Sequence, residues 1–205
     1  MLISLENAQE LITPDIAAKL AYCSGMAFRD WFKEVTDSGR ATSSPGAKAY
    51  FINDRMLHHA KTVFDGSNEV KLIPKHGRYQ LMVKGQLLFK LKKLNRNFRT
   101  ANIPTNTVIL YDAQLKPPVY NTQLAFMNFV PDDITHLIAG YVEDQIRTGM
   151  SPYIVCPNGK RNYWVWPLKF TPMAPDDIRG PDDDGSDRPP KPVLPRVPAQ
   201  GQLVS

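Results

Sequence analysis

Apolar residues recur at intervals of three and four between residues 13 and 35, at Ile16, Leu20, Cys23, Ala27, Trp31 and Val35. That spacing gathers them on one face of a helix. Thr13-Pro14-Asp15 marks its start with a hydroxyl for the first free amides, a proline where no amide hydrogen is needed, and an acid in the first turn. Asp37-Ser38-Gly39 supplies the stop, and residues 40–46 read as a polar loop. A second helix is predicted over residues 47–64, with Tyr50, Leu57, Ala60 and Phe64 on its apolar stripe, Phe51 beside them, and Asp65-Gly66-Ser67-Asn68 ending it. Both helices are expected to pack on one sheet.

From Val70 the period falls to two. Residues 70–73, 78–83 and 86–94 alternate between apolar and polar side chains, with turns at Lys75-His76-Gly77 and Lys84-Gly85, which predicts a hairpin or three-stranded meander. Thr107-Val108-Ile109-Leu110-Tyr111 reads as a further buried strand and residues 134–142 as another. Residues 116–133, with prolines at 117, 118 and 131, read as a long ordered loop. Pro157-Asn158-Gly159-Lys160 places an Asn-Gly turn between strands at 153–156 and 162–166. Helices first and strands after predict an α+β fold, with N-terminal helices packed on a mainly antiparallel β-sheet. No internal repeat interrupts this order.

The pattern ends near Pro172. From Pro172 onward lie eight of the 18 prolines and no aromatic residue, so residues 173–205 cannot bury enough apolar area to offset the entropy of ordering, and a disordered Pro/Asp-rich C-terminal tail is expected. Residues 1–172 are read as a single α+β domain. The tail holds Asp176, Asp177, Asp182, Asp183, Asp184 and Asp187 against four basic residues, which leaves the body with 21 basic and 14 acidic residues. The body is therefore more basic than the formal net charge of +5 implies.

Hydrophobic residues make up 42% of the 205-residue chain, too many for wholesale disorder, and no apolar run approaches the roughly 20 residues of a membrane span. The N-terminal residues, with Glu6 arriving early, lack a signal-peptide pattern. Cys23 and Cys156 stand too far apart in sequence to suggest a disulfide framework or a metal cluster. A cytoplasmic protein that makes no membrane contact and needs no cofactor is expected.

The richest window for function runs from Lys71 to Arg99. It carries nine basic residues, and no acid stands between Glu69 and Asp112. Alternation along residues 87–94 sets Leu88, Lys90, Lys92 and Leu94 on one face and Leu87, Phe89, Leu91 and Lys93 on the other. Lys84, Lys90, Lys92, Lys93, Arg96 and Arg99 then form a candidate surface for nucleic-acid phosphates, whose neutralisation releases counterions. The ordinary alternative is a solvated strand whose lysines protect a sheet edge. Of the nearby aromatics Tyr79, Phe89 and Phe98, Phe98 sits between Asn97 and Arg99 in a turn and is the candidate for stacking on a base. The tail's aspartates offer a phosphate-like sequence that would compete for this surface, and its proline stretches a second contact for a protein partner.

Other chemistries have weaker signals. Glu69-Val70-Lys71, with Asp54 or Asp65 upstream, matches the acid-x-Lys arrangement of metal-dependent nucleases, a triplet that chance supplies in most chains of this length. His58 and His59 are adjacent and point about 100° apart, so they do not chelate one metal, and one is expected packed and the other exposed. His76 and His136 have no ligand spacing around them. Cys156 ends an apolar strand as a small hydrophobe would, and the chain has no phosphate-binding glycine loop. Trp164 and Trp166 share one strand face and are read as anchors between sheet and helices, with an exposed protein-binding pair as the alternative.

The leading expectation is a non-catalytic protein that binds DNA or RNA. A regulatory or neutralising subunit of a small prokaryotic complex, meeting an acidic protein partner through its basic face or tail, is the second. A metal-dependent nuclease is the third.

Overall fold

The computed structural model describes residues 2–75, 78–100, 105–114 and 134–172. Residues 116–133, His76 and the 173–205 tail discussed above lie outside them. Four helices come first: α1 (Leu5–Leu11), α2 (Pro14–Glu34), α3 (Asp37–Thr42) and α4 (Pro45–Val63). Strands β1 (Val70–Lys75), β2 (Arg78–Val83) and β3 (Leu87–Leu94) follow, then α5 (Asn106–Asp112), β4 (Thr135–Glu143), β5 (Met150–Asn158) and β6 (Arg161–Pro167). The six strands form one sheet in sequence order, antiparallel everywhere except between β3 and β4.

Each helix begins at a side-chain hydroxyl that accepts a hydrogen bond from an otherwise unpaired amide: Ser4, Thr13, Thr36, Ser44 and Thr105. Such a cap is worth about 1 kcal/mol, and Pro14 and Pro45 fill the first helical positions of α2 and α4 at no cost in hydrogen bonds. The Thr36 cap starts α3 at the predicted helix stop, and the helix runs on into the stretch predicted to be a loop. The buried stripe of α4 is Ile52, Met56, Ala60 and Val63, while Tyr50 is exposed. Two stripes compatible with helical spacing compete there, and the one that keeps the tyrosine hydroxyl in water wins.

α2 and α4 cover one face of the sheet. Leu20, Cys23, Trp31, Ile52 and Met56 meet Val83, Leu87, Phe89, Leu137, Tyr141 and Ile154 in the main core. The tryptophans belong to this layer as anchors: both pack against the core, and the Trp164 indole donates to the carbonyl of Ile3 at 2.9 Å. Phe170, just past β6, returns to α2, where a Cβ on Gly25 would lie 2.2 Å from its ring. Gly140 faces Lys92 across the parallel pair, and a Cβ there would come within 2.0 Å of the Lys92 carbonyl oxygen.

The opposite face carries smaller clusters, one of Leu94, Tyr111, Ile138 and Val155 and another of Met82, Leu88 and Ile134. α5 lies here, and it corrects the strand predicted at residues 107–111. The β-branched run favours a strand locally, but a parallel β3–β4 pair needs a crossover, and the Thr105 cap and the burial of Tyr111 give that crossover a helix. The β5–β6 turn is also displaced by one residue from the predicted Asn-Gly pair. Asn158 pairs with Arg161, so Gly159 and Lys160 form the turn, with Gly159 at φ 57°.

Candidate nucleic-acid interface

The seven residues singled out in the basic window do not form one surface. Leu87, Phe89 and Leu91 lie in the helix-side core and Leu88 and Leu94 in the opposite clusters, so alternation sends Lys93 toward the helices and Lys90 and Lys92 to the other face. Lys84 lies 3.1 Å from Glu69. Lys93 and Lys48 share the carboxylate of Glu143, Lys48 at 2.9 Å, and the ammonium of Lys48 also sits 4.8 Å from the ring of Phe28 and 3.2 Å from the carbonyl oxygen of Arg147. Burial raises the pKa of the Glu143 carboxyl, but the hydrogen bonds and charges of the two lysines outweigh it and the pKa is lowered.

On the opposite face Tyr111 is the centre of a stacked group. Its hydroxyl, 2.8 Å from the Leu88 carbonyl and 2.7 Å from that of Leu137, donates between the two parallel strands. Lys90 sits 3.2 Å above its ring, and His136 stacks against it at 4.2 Å and 7°. Asp112 follows, half-buried, its pKa raised by burial despite the charges of Lys90 and Arg99. Gln114, at φ 58°, completes the group by repairing the sheet. Pro157 has no amide hydrogen, so the β4–β5 ladder stops at Ile138 and Val155. Gln114 accepts from the His136 amide and donates to the carbonyls of His136 and Pro157, each at 2.8 Å.

Arg96, Phe98 and Arg99 occupy the turn after β3, and here the structure gathers cations that sequence reasoning left apart. Asn95 shapes the turn by accepting from the amides of Asn97 and Arg99. Phe98, at φ 56°, packs its ring edge-on against Tyr153 at 4.8 Å. The guanidinium of Arg99 donates to the carbonyls of Gly159 and Lys160, and Asn162 donates to those of Asn97 and Phe98 at 3.1 and 3.3 Å. Two turns about 60 residues apart in sequence are thus tied together, and Arg96, Arg99, Lys160 and Arg161 form one basic rim. Among the described residues no carboxylate lies within ion-pair distance of Arg96, Lys160 or Arg161. Lys160 and Arg161 flank a hairpin turn that was legible in the sequence, but only tertiary structure brings them to Arg96.

Elsewhere the arrangements are of different kinds. Glu69 is paired with Lys84, Val70 between Glu69 and Lys71 is core, and no group of three or more His, Cys, Asp or Glu among the described residues is placed to hold a metal. His59 lies 2.7 Å from Asp30, whereas His58 is exposed. Burial pushes the thiol of Cys156 up to about 12, so it stays protonated at neutral pH, and Cys23 is raised by the same cause. A cleft of about 230 Å³ between α1 and the starts of β3 and β4 is lined by Leu2, Ile3, Ser4, Asn7, Gln86, Leu87 and Thr135, with no charged side chain. No described helix is long and apolar enough to cross a membrane. No protein-family model, curated protein or solved structure significantly matches the chain.

Proposed function

We propose that this protein binds nucleic acid through the basic rim, with Arg96, Arg99, Lys160 and Arg161 on the phosphate backbone and Lys90 and Lys92 flanking them on the same side of the sheet. The observation that carries the reading is the lacing of the two turns. The Arg99 and Asn162 hydrogen bonds hold the cations together before any ligand arrives, so the cost of ordering them is met by folding. Arg96, Lys160 and Arg161, with no carboxylate in ion-pair distance among the described residues, repel one another, and an array of phosphates relieves that repulsion while releasing counterions. Lys84 and Lys93 drop out of the contact set because Glu69 and Glu143 already neutralise them.

The test is an anisotropy titration of labelled DNA and RNA, single- and double-stranded, against the full chain. Four phosphate contacts predict an affinity that falls about 50- to 150-fold between about 50 and about 200 mM salt. Changing Arg96, Lys160 and Arg161 together to Gln is expected to weaken binding to every sequence and to flatten the salt slope by about two to three ions. If the folded protein binds none of these ligands, the reading fails and an acidic protein partner for the rim takes its place.

A further inference from the structure

We infer that the ligand of this rim is a single-stranded nucleic acid and that Tyr163 is its base-stacking platform. The inference rests on the nucleic-acid reading above and deepens it.

β6 is the outer strand of the sheet, and its register slips at one point: Asn162 pairs with Pro157 and Trp164 with Cys156, which leaves Tyr163 as an extra residue. In a regular strand, residues 162 and 164 would point to the same face. Here Asn162 reaches the 95–99 turn on one face, and Trp164 packs into the helix-side core on the other. Tyr163 stands at the switch, 52% exposed. Bulges of this kind re-aim a side chain and recur beside functional sites.

An exposed tyrosine is common, so what surrounds this one matters. Among the exposed aromatic residues described, Phe32 lies against Phe28 and under Arg40, Tyr79 lies under the ammonium of Lys61, and Tyr50 has a partner of its own. Tyr163 has no ring contact and no side-chain hydrogen bond among the described residues. It follows Lys160, Arg161 and Asn162 directly, so cations for phosphate and a flat uncovered ring share one hairpin. Phe98, the aromatic within the neighbouring turn, is already engaged with Tyr153. A duplex keeps its base faces inside the stack, whereas a single strand offers them to a ring beside a cationic groove. That difference assigns the ligand class.

The experiment compares a labelled 12-nucleotide oligothymidine with a 12-base-pair duplex at about 50 mM salt, using the full chain, Tyr163→Ala and Tyr163→Phe. The single strand is expected to bind the wild type more tightly than the duplex. Tyr163→Ala should weaken single-strand binding about 5- to 160-fold with the salt slope unchanged, as loss of one stacked base requires. Tyr163→Phe, which keeps the ring, should bind like the wild type, and both variants should keep the wild-type melting temperature within a few degrees. Duplex binding as tight as single-strand binding, or an unchanged affinity in a folded Tyr163→Ala protein, would overturn this inference and leave the rim reading standing. Loss of salt-sensitive binding to both ligands in the wild type would defeat the rim reading itself.

Discussion

Two groups of cations sit in contrasting surroundings. Around Glu143, Lys48 and Lys93 share one buried carboxylate, and Lys48 is further enclosed by Phe28, Trp31 and Phe32. At the rim, Arg96, Lys160 and Arg161 stand exposed with no described carboxylate in reach, and only the backbone lacing and the Arg99 guanidinium hold their positions. The first arrangement satisfies its charges internally and binds α4, β3 and β4 together. The second leaves its charges to solvent or to a ligand. Basic residues that look equivalent along the chain therefore divide into structural and available ones according to where the acids lie.

The largest effect that separates the two groups is expected from Glu143→Gln. Removing the carboxylate leaves two largely buried ammonium groups facing one another without their shared partner, and the loss should be about 3 kcal/mol in a urea titration. The pH dependence follows from the lowered pKa of Glu143. A depressed carboxylate stabilises the fold fully above its unfolded value, about 4.3, and loses that contribution as pH falls through its folded value. Wild type and variant should therefore begin to converge as pH falls below about 4.3 and meet only below the lowered folded value. A gap that stays constant as pH is taken on down well below about 4.3, through the acid range where the carboxylate protonates in the folded state, would show that the carboxylate is not the source of the difference.

A middle-sized effect is expected at Gln114, on the side of the sheet that carries the rim. Gln114→Ala leaves the His136 amide and the Pro157 carbonyl without their partner and should cost about 2 kcal/mol, with faster hydrogen exchange at the His136 amide. Gln114→Gly loses the same hydrogen bonds but relieves the φ of 58°, so it should be less destabilising than alanine by about 1 kcal/mol. Equal losses in the two variants would remove backbone strain from the account.

How much of this was legible in the sequence follows the range of the interactions. The two long helices, the meander and the final hairpin come from periodicity and turn residues within a short window, and the division of Lys90 and Lys92 from Lys93 needs only the two-residue period of a strand. The crossover helix was misread because Thr107-Val108-Ile109 carries a local strand preference, while the parallel pairing that overrides it joins residues about 48 apart. The candidate site depends almost wholly on such distant pairs: Glu143 lies 50 residues from Lys93, and Lys160 lies 61 from Arg99. Nothing local announces that Lys93 is neutralised or that the turns carrying Arg96 and Arg161 are tied together. The bulge at Tyr163 is intermediate, since Pro157 hints at a defect in the ladder but does not say which residue of the opposing strand will be extra.

The smallest effect on stability, and the one that sharpens the comparison most, is expected at the rim. Arg96→Gln and Arg161→Gln together remove two exposed charges that have no carboxylate partner among the described residues, so the unfolding midpoint should move by less than the equivalent of about 0.5 kcal/mol. Mutual repulsion among the remaining cations also falls, and at low salt the shift should be toward greater stability. Added salt screens the same repulsion in the wild type, so the two proteins should become indistinguishable in stability at about 1 M salt, where the screening length is about 3 Å. A clear destabilisation instead would mean that these arginines, like Lys48 and Lys93, are held by the fold, and the distinction between structural and available cations would disappear.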